Sequence, residues 1–212
     1  MTMPIKLEGR EYRSMSMRAL DSPDDGKMIV RGYASTFNDP YTLWEEPGYK
    51  VIEQVDARAF DECDMSDVIM QYDHAGRVFA RIRNNTLKVE PDMKGLLTEA
   101  DLGGTDIGRQ LYQEIKGGYT DRMSFGFHVK KDDRRYTEDH DTGDITAVRT
   151  ILAIDKLYDV SAVSLPANDG TSISARNLSD GLIQEIKAER LRAQAIEARK
   201  RKIQILIEME KN

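Results

Sequence analysis

The chain has 212 residues, of which 40% are hydrophobic and 32% are charged, and its formal net charge at pH 7 is −6. This hydrophobic content is enough for one core and argues against a wholly disordered chain, whereas the net negative charge argues against a dedicated nucleic-acid-binding protein. No apolar run approaches the length of a membrane-spanning helix, and the first residues lack the apolar centre of a secretory signal, so we expect no contact with membranes.

Residues 1–176 contain short segments with the composition of strands, separated by turn signals. The predicted strands, in chain order, are Met28–Phe37, Tyr49–Glu53, Val68–Tyr72, Val78–Arg83, Thr86–Glu90, Gly95–Asp101, Met123–Val129 and Ile145–Ser164. Two helices are predicted among them. One is short, near Asp56–Cys63, and the other spans Thr105–Lys116, with Thr105 as its N-cap and Gly117-Gly118 at its end. The pattern predicts an α+β domain that is mostly antiparallel β-sheet.

The composition changes near residue 177. From Asn177 to Asn212 there is no aromatic residue and no proline, and 8 Lys/Arg against 6 Asp/Glu give a net charge of +2. Ser179-Asp180 is typical of a helix start, and good helix formers follow it. A seam with steps of four and three residues then runs through Leu182, Ile186, Glu189, Ala193, Ile196, Lys200, Ile203 and Ile207, and all of these except Glu189 and Lys200 are apolar. We therefore predict two parts, residues 1–176 and a helical tail of residues 177–212, suited to a coiled coil, self-association or targeting.

Ser124 lies in a segment, Met123–Phe127, in which every second residue is hydrophobic. In an extended strand the hydrophobic residues share one face, and Ser124 shares the other face with Gly126. One interpretation is an ordinary serine in a half-buried strand. The functional interpretation is a nucleophile with room for a substrate carbonyl above Gly126.

A serine nucleophile needs a base within hydrogen-bonding distance. His128 would share its face of the strand, but four residues separate the two by about 13 Å. His140 falls in an acidic segment that we expect to be solvated. His74 ends an apolar strand just before a tight turn at Ala75-Gly76, which is a natural position for a catalytic base. A hydrogen-bonded structural imidazole is the alternative there.

A third group is expected to orient the imidazole and stabilise its protonated form. Asp159 lies inside an apolar run. A buried, ionised carboxylate is costly unless it is paired, so Asp159 requires a partner, and a histidine would serve. Asp155, on the same face of the predicted strand, is the rival. Pairing of either carboxylate with an arginine also remains open.

The remaining candidates for chemistry are weaker. Acidic neighbours raise the pKa of a thiol, so Cys63, the only cysteine, is expected to be a poor nucleophile. Gly103-Gly104 lacks the spacing and the lysine of a phosphate-binding loop. The acidic residues between 132 and 144 fit no EF-hand pattern, and the three histidines lack the spacing of zinc ligands. We therefore predict neither a metal nor a cofactor.

Four stretches, in this order and spacing, resemble the caudovirus prohead protease family, the capsid-maturation serine proteases of tailed phages. The resemblance extends from about Met28 to Asn168. The stretches that carry it are Arg31–Phe37, Asp73–Arg77, Met123–Phe127 and Tyr158–Asn168.

The resemblance implies a β-barrel with surrounding helices, similar to that of the herpesvirus assemblins. It implies that His74 is the general base, Ser124 the nucleophile and Asp159 the third member, at a position where family members often have Glu. The implied function is that of a serine endopeptidase inside the assembling procapsid, in the host cytoplasm. Its substrates would be the major capsid protein, from which it removes scaffold segments, or a separate scaffold protein, and also itself.

Two other functions remain as alternatives at this point. One is a catalytically inactive scaffold or capsid-assembly protein that functions through its tail helix. The presence of both His74 and Ser124 argues against this. A cytosolic esterase is disfavoured because the sequence lacks the G-x-S-x-G motif of that class.

Overall fold

Strands make up most of the computed structural model, which describes residues 10–19, 27–164 and 173–210. The strands are β1 (Arg10–Ala19), β2 (Ile29–Thr36), β3 (Tyr41–Glu46), β4 (Tyr49–Val55), β5 (Ile69–Tyr72), β6 (Ala75–Arg81), β7 (Leu87–Pro91), β8 (Gly95–Asp101), β9 (Arg122–Glu138) and β10 (Ile145–Val163). The α-helices are α1 (Asp106–Lys116) and α2 (Ile173–Glu210), and a 3-10 turn spans Ile82–Asn84. The predicted α+β class, rich in strands, is confirmed.

These ten strands form one sheet, whose main path runs β3-β4-β10-β9-β1-β2-β8-β7. Strand β10 is central to this sheet, because it is long enough to pair with two parallel strands along the same edge. Residues Ile145–Ile151 pair with β4, and Asp159–Ala162 pair with β5. Strand β9 lies antiparallel along the other edge of β10, and β6 forms an antiparallel hairpin with β5. The β5–β6 hairpin is thereby held beside the second half of β10.

The predicted closed barrel is wrong. Within the described ranges the end strands of the main path, β3 and β7, do not pair with each other, and the sheet is open. Strand β6 contacts β7 and β8 without forming a ladder with either, and α1 packs against β1, β2 and β6. The sequence predicts most of the individual strands, but closure depends on their pairing and stagger, which local patterns do not encode.

The core lies against the apolar face of β9. Met123, Phe125 and Phe127 are fully buried, as their alternation predicts, and the two phenylalanine rings stack with their centroids 4.5 Å apart. Helix α1 begins as predicted, because the Thr105 side chain accepts a hydrogen bond from the backbone N–H of Gly108. Gly117 follows its last turn.

Other local predictions fail. Residues 57–62, predicted as a helix, form successive turns, with backbone hydrogen bonds that join residues three apart. Strands β1 and β3 were not predicted. Helix α2 begins at Ile173, so Ser179-Asp180 lies within the helix instead of capping it.

A cluster of charged side chains is buried where β1, β4, β9 and β10 meet. Arg13 and Glu53 are fully buried and form an ion pair with two hydrogen bonds. Arg149 donates to Glu53 at 2.8 Å, to Asp132 at 2.5 Å and to both oxygens of Glu11. Because each buried charge has an opposite charge in contact, this ion cluster meets the condition for burying ionised groups.

Helix α2 packs against the sheet through residues around Ile183 and Ile186. Ile183 and Ile186 are buried, and Ile186 belongs to a second apolar cluster with Leu43, Val51, Ile145 and Ala147. Beyond Arg190, which pairs with Glu138 on β9, the larger apolar side chains are exposed. Neither helix in the described part of the chain combines the length and apolarity needed to cross a bilayer.

Candidate active site

His74 lies in a two-residue hairpin turn between β5 and β6. Both turn residues, Asp73 and His74, have left-handed backbone angles, with φ of 48° and 56°. This conformation is uncommon outside glycine but tolerated by Asp and His, and two-residue hairpins require it. The turn is anchored because the Asp73 carboxylate accepts from the backbone N–H of Ser164 at 2.8 Å. The sequence predicted the turn at Ala75-Gly76, but β6 already begins at Ala75.

Ser124 lies on β9, between β1 on one side and β10 on the other. Its backbone is opposite Ser14 of β1 and Ser161 of β10. The residue is fully buried, so both faces of the strand are covered here and not only the apolar one. This position in the middle of the sheet gives the Ser124 side chain a fixed direction.

The structure brings together the three residues that the sequence selected. His74 Nε2 lies 2.6 Å from Ser124 Oγ, and His74 Nδ1 lies 2.5 Å from Asp159 Oδ1. Both contacts are those of hydrogen-bonded pairs. Asp159 is 2% exposed, whereas the His74 side chain is 13% exposed. His74 is therefore the member of this chain of contacts that solvent can reach.

Asp159 has further neighbours that the sequence did not reveal. The hydroxyl of Ser161, two residues along β10, donates to Asp159 Oδ1 at 2.9 Å. The other oxygen, Oδ2, is buried, has no hydrogen-bond partner among the described residues and lies 3.8 Å from Arg10 Nη1. The carboxylate thus has two donors on one oxygen and a cation near the other.

The space above Gly126 is filled. A Cβ atom at this position would lie 2.5 Å from Asp159 Oδ2 and 2.9 Å from a ring carbon of Tyr12. The sequence suggested that the missing side chain leaves room for a substrate carbonyl. The structure instead uses that room for the Asp159 carboxylate, so this detail of the prediction is wrong.

Strand β1 contributes two residues that sequence reasoning missed. The Tyr12 ring lies 4.2 Å from the His74 ring between centroids, and burial raises the pKa of Tyr12. The Arg10 guanidinium lies over the Tyr158 ring at 3.7 Å. The alternation of polar and apolar residues from Ser14 to Ala19 was the available signal for this strand.

The rival residues lie elsewhere. Asp155 is exposed and approaches His128 at 3.6 Å, not His74. His140 is exposed in the turn between β9 and β10. For Cys63, burial together with the charges of nearby acids raises the thiol pKa to about 11. A thiol with that pKa is almost entirely protonated at neutral pH and is a poor nucleophile.

The weaker motifs have structural roles. The Gly103 N–H donates to the Asp101 side chain in the turn before α1. In the acidic segment, Asp132 pairs with Arg149, and Asp139 accepts from the backbone N–H groups of Asp141 and Thr142. Among the described residues, no group of three or more His, Cys, Asp and Glu side chains has the arrangement of a metal site.

The sequence model of the caudovirus prohead serine proteases matches residues 13–184. The chain belongs to this family. The match begins at Arg13 in β1 and ends at Gln184 in α2, beyond the stretches that carry the resemblance in the sequence. Among solved structures, the chain is similar to the bacteriophage T4 capsid assembly protease, gp21, with 12% sequence identity and a TM-score of 0.45, over 74% of this chain and 98% of that one. No curated protein sequence matches the chain significantly.

Proposed function

We propose that this prohead protease is an active serine endopeptidase in which Ser124 is the nucleophile, His74 the general base and Asp159 the residue that orients the base. The observation that carries the proposal is the unbroken chain of contacts Ser124–His74–Asp159 in a member of a serine protease family. The roles follow from the order of the groups, because only His74 contacts both of the others.

The chemistry of the side chains assigns the imidazole tautomer. An ionised carboxylate only accepts hydrogen bonds, so Nδ1 of His74 carries the proton that faces Asp159. Nε2 is then free to accept the hydroxyl hydrogen of Ser124. This is the tautomer that a base needs in order to take a proton from a serine.

In the proposed reaction, Ser124 Oγ attacks the peptide carbonyl carbon while its proton moves to His74 Nε2. Asp159 stabilises the imidazolium that forms, through its hydrogen bond to Nδ1. The proton is then delivered to the leaving amine nitrogen as the peptide bond breaks, which leaves an acyl-enzyme. Water repeats the sequence with His74 again as base, and the acid product departs as Ser124 regains its proton.

Ser161 and Arg10 support the role of Asp159 in this proposal. The Ser161 hydroxyl donates to the oxygen that also faces His74, and Arg10 lies on the side of the other oxygen. These contacts fix the orientation of the carboxylate, so that Oδ1 is directed at Nδ1 of His74.

The proposed substrates are the major capsid protein or a scaffold protein of the same phage, and the protease itself. Family membership supports a role in capsid maturation. The site of action would be the assembling procapsid in the host cytoplasm. We expect no nucleic-acid or membrane partner.

We also propose that the sheet domain and the C-terminal end of α2 have different functions. The predicted boundary at residue 177 falls within α2, whose buried Ile183 and Ile186 pack against the sheet. The protease domain would thus include the part of α2 that packs against the sheet, as far as Arg190. The rest of α2, with exposed Leu191, Ile196 and Ile203, would serve assembly or targeting. The capsid-assembly role, which the sequence offered as an alternative to catalysis, would then be a second function of the same chain.

The test uses the purified full-length protein, a fluorophosphonate probe that reacts with activated serines, and coexpressed capsid protein. We expect the wild type to be labelled at Ser124 and to cleave, and Ser124→Ala and His74→Ala to lose both properties while circular dichroism remains unchanged. Ser66→Ala, at an exposed serine, and Cys63→Ser are the matched controls and should behave as the wild type. Cleavage by Ser124→Ala, or an inactive but folded Cys63→Ser, would contradict the assignment.

A further inference from the structure

A groove runs between β6 and α1, beside the turn that carries His74. Strand β6 lines it with the alternate residues Ala75, Arg77 and Phe79. Helix α1 lines it with Ile107, Gln110, Leu111 and Glu114. These spacings, two in the strand and three or four in the helix, are those of a single face in each element. The space between the two faces measures about 480 Å³.

The groove lies next to the turn that carries His74. Tyr72 and Ala75, which both line it, are the residues that immediately flank the Asp73-His74 turn. The groove therefore begins at the base of the turn and follows β6 away from it. Because His74 is the exposed member of the three site residues, a substrate approaching Ser124 passes this end of the groove.

The chemistry of the groove favours an apolar side chain. Leu111 is buried at its floor, and Phe79 and Ile107 are partly exposed beside it. Arg77 and Glu114 are exposed at its rim and carry opposite charges, so the groove has no net charge that would select a charged ligand. Phe79, Ile107 and Leu111 supply its apolar surface.

Strand β6 also offers a free edge. In the described part of the chain it pairs with β5 alone. Unpaired N–H and C=O groups along such an edge can bind an extended peptide as an added strand, while side-chain pockets select its residues. The edge of β6 from Ala75 to Phe79 is five residues long.

We propose that this groove binds the substrate segment next to the scissile bond in an extended conformation and holds one large apolar side chain against Phe79, Ile107 and Leu111. The proposal rests on the serine protease function proposed above. It assigns the specificity of the enzyme to a strand-and-helix groove distinct from the three reacting residues.

The test first maps a cleavage site in the phage capsid protein by mass spectrometry, and then uses a synthetic peptide that spans it. We expect Ile107→Glu to lower kcat/KM for this peptide about 10- to 100-fold, mainly through KM, because a charge replaces the apolar contact. Gln113→Glu adds the same charge at an exposed position of α1 outside the groove, and should change kcat/KM less than twofold.

Labelling of Ser124 by the small fluorophosphonate probe tests the serine protease function separately from the groove. The probe does not fill the groove, so its reaction depends only on the reactivity of Ser124. A wild type that is not labelled refutes the protease function itself. If Ile107→Glu is labelled normally and still cleaves the peptide as the wild type does, the groove proposal alone is refuted. Normal labelling together with impaired peptide cleavage supports both.

Ile107→Ala provides a second readout that does not depend on the charged variant folding. Each apolar residue of the peptide is replaced by Ala in turn. We expect one replacement to impair cleavage by the wild type and to have much less effect on Ile107→Ala, because contacting residues are energetically coupled. If, at every apolar peptide position, the effects of the peptide replacement and of Ile107→Ala on cleavage simply add, the proposal is overturned.

Discussion

The Asp159 carboxylate lies directly over Gly126, so that a Cβ atom at position 126 would come within 2.5 Å of Asp159 Oδ2. No real Cβ atom tolerates that distance, so one of the two groups must move if a side chain is added. Gly126 lies on β9 and Asp159 on β10, and the two are paired across the ladder. The glycine is therefore required by the position of the carboxylate.

We expect Gly126→Ala to displace Asp159 from His74 and to lower kcat by about 100-fold or more, since misplacement by 1 Å can have that effect. The protein should still fold, with a lower melting temperature. Peptide hydrolysis and thermal unfolding measure the two effects.

Gly104→Ala is the control for this change. A Cβ atom at Gly104 would meet nothing within 4 Å, so both activity and melting temperature should remain close to wild type. An active Gly126→Ala enzyme would mean that the exact position of the Asp159 carboxylate does not matter for turnover.

A second prediction compares the two aspartates of β10. Asp159→Asn should lower kcat by about 10³- to 10⁴-fold, because an amide does not stabilise the imidazolium and favours the wrong tautomer. Asp155→Asn, a change of the same kind at an exposed residue near His128, should leave kcat unchanged. The assignment is wrong if Asp155→Asn is the damaging change and Asp159→Asn is silent.

The comparison of Asp155 and Asp159 shows where sequence reasoning reaches its limit. Period-two alternation predicted the core face of β9 correctly, because that segment has no irregularity. In β10 the same rule placed both aspartates on one face. Register shifts between Ile151 and Asp159 break the alternation, and a bulge reverses the faces beyond it. The sequence carries no clear mark of these bulges, so the choice between the two carboxylates required the structure.

The contacts of Asp159 with Arg10 and Gly126 were unpredictable for another reason. They join β1, β9 and β10, whose order in the sheet does not follow from their order in the chain. His74 and Ser124 could be selected because their residue types are rare and chemically distinctive. Arginine and glycine are common, and nothing local distinguishes Arg10 or Gly126 from other residues of their kind.

A third prediction concerns acid stability and the ion cluster. Burial alone would raise the pKa of Glu11, but the hydrogen bonds and charges of Arg149 and Arg13 lower it to about 2. The pKa in the folded state is thus below the ordinary value of 4.5. The stabilisation is therefore complete above about pH 4.5 and is lost as the pH falls towards 2, and it amounts to at most about 3 kcal/mol.

Urea unfolding between pH 2.5 and pH 7 measures this effect. We expect the free energy of unfolding of the wild type to fall steeply below pH 4.5. Glu11→Gln should be less stable at pH 7, because Arg149 loses an anionic partner, and should show a shallower fall in acid. Glu90→Gln, at an exposed residue that pairs with Lys88, is the control, since surface pairs contribute little. An identical acid slope in Glu11→Gln and the wild type would contradict the prediction.

The last prediction separates the docked and exposed parts of α2. A chain that ends at Arg190 keeps the buried Ile183 and Ile186, of which Ile186 belongs to the second apolar cluster. We expect it to fold and to cleave peptide in solution at the wild-type rate, but to be absent from procapsids when it is coexpressed with capsid protein. The chain would then lack the exposed apolar residues Leu191, Ile196, Ile203, Ile205 and Ile207.

A chain that ends at Asn177 removes both buried isoleucines and exposes Leu43 and Val51. Each isoleucine contributes about 1.5–3 kcal/mol by burial, so this shorter chain should unfold at a clearly lower urea concentration than the chain that ends at Arg190. A full-length Ile196→Ser/Ile203→Ser variant keeps the helix length and tests the apolar contacts alone, and it should cleave peptide normally but be packaged poorly. If the chain that ends at Arg190 loses peptidase activity, or is packaged as efficiently as the wild type, the end of α2 does not have a separate assembly role.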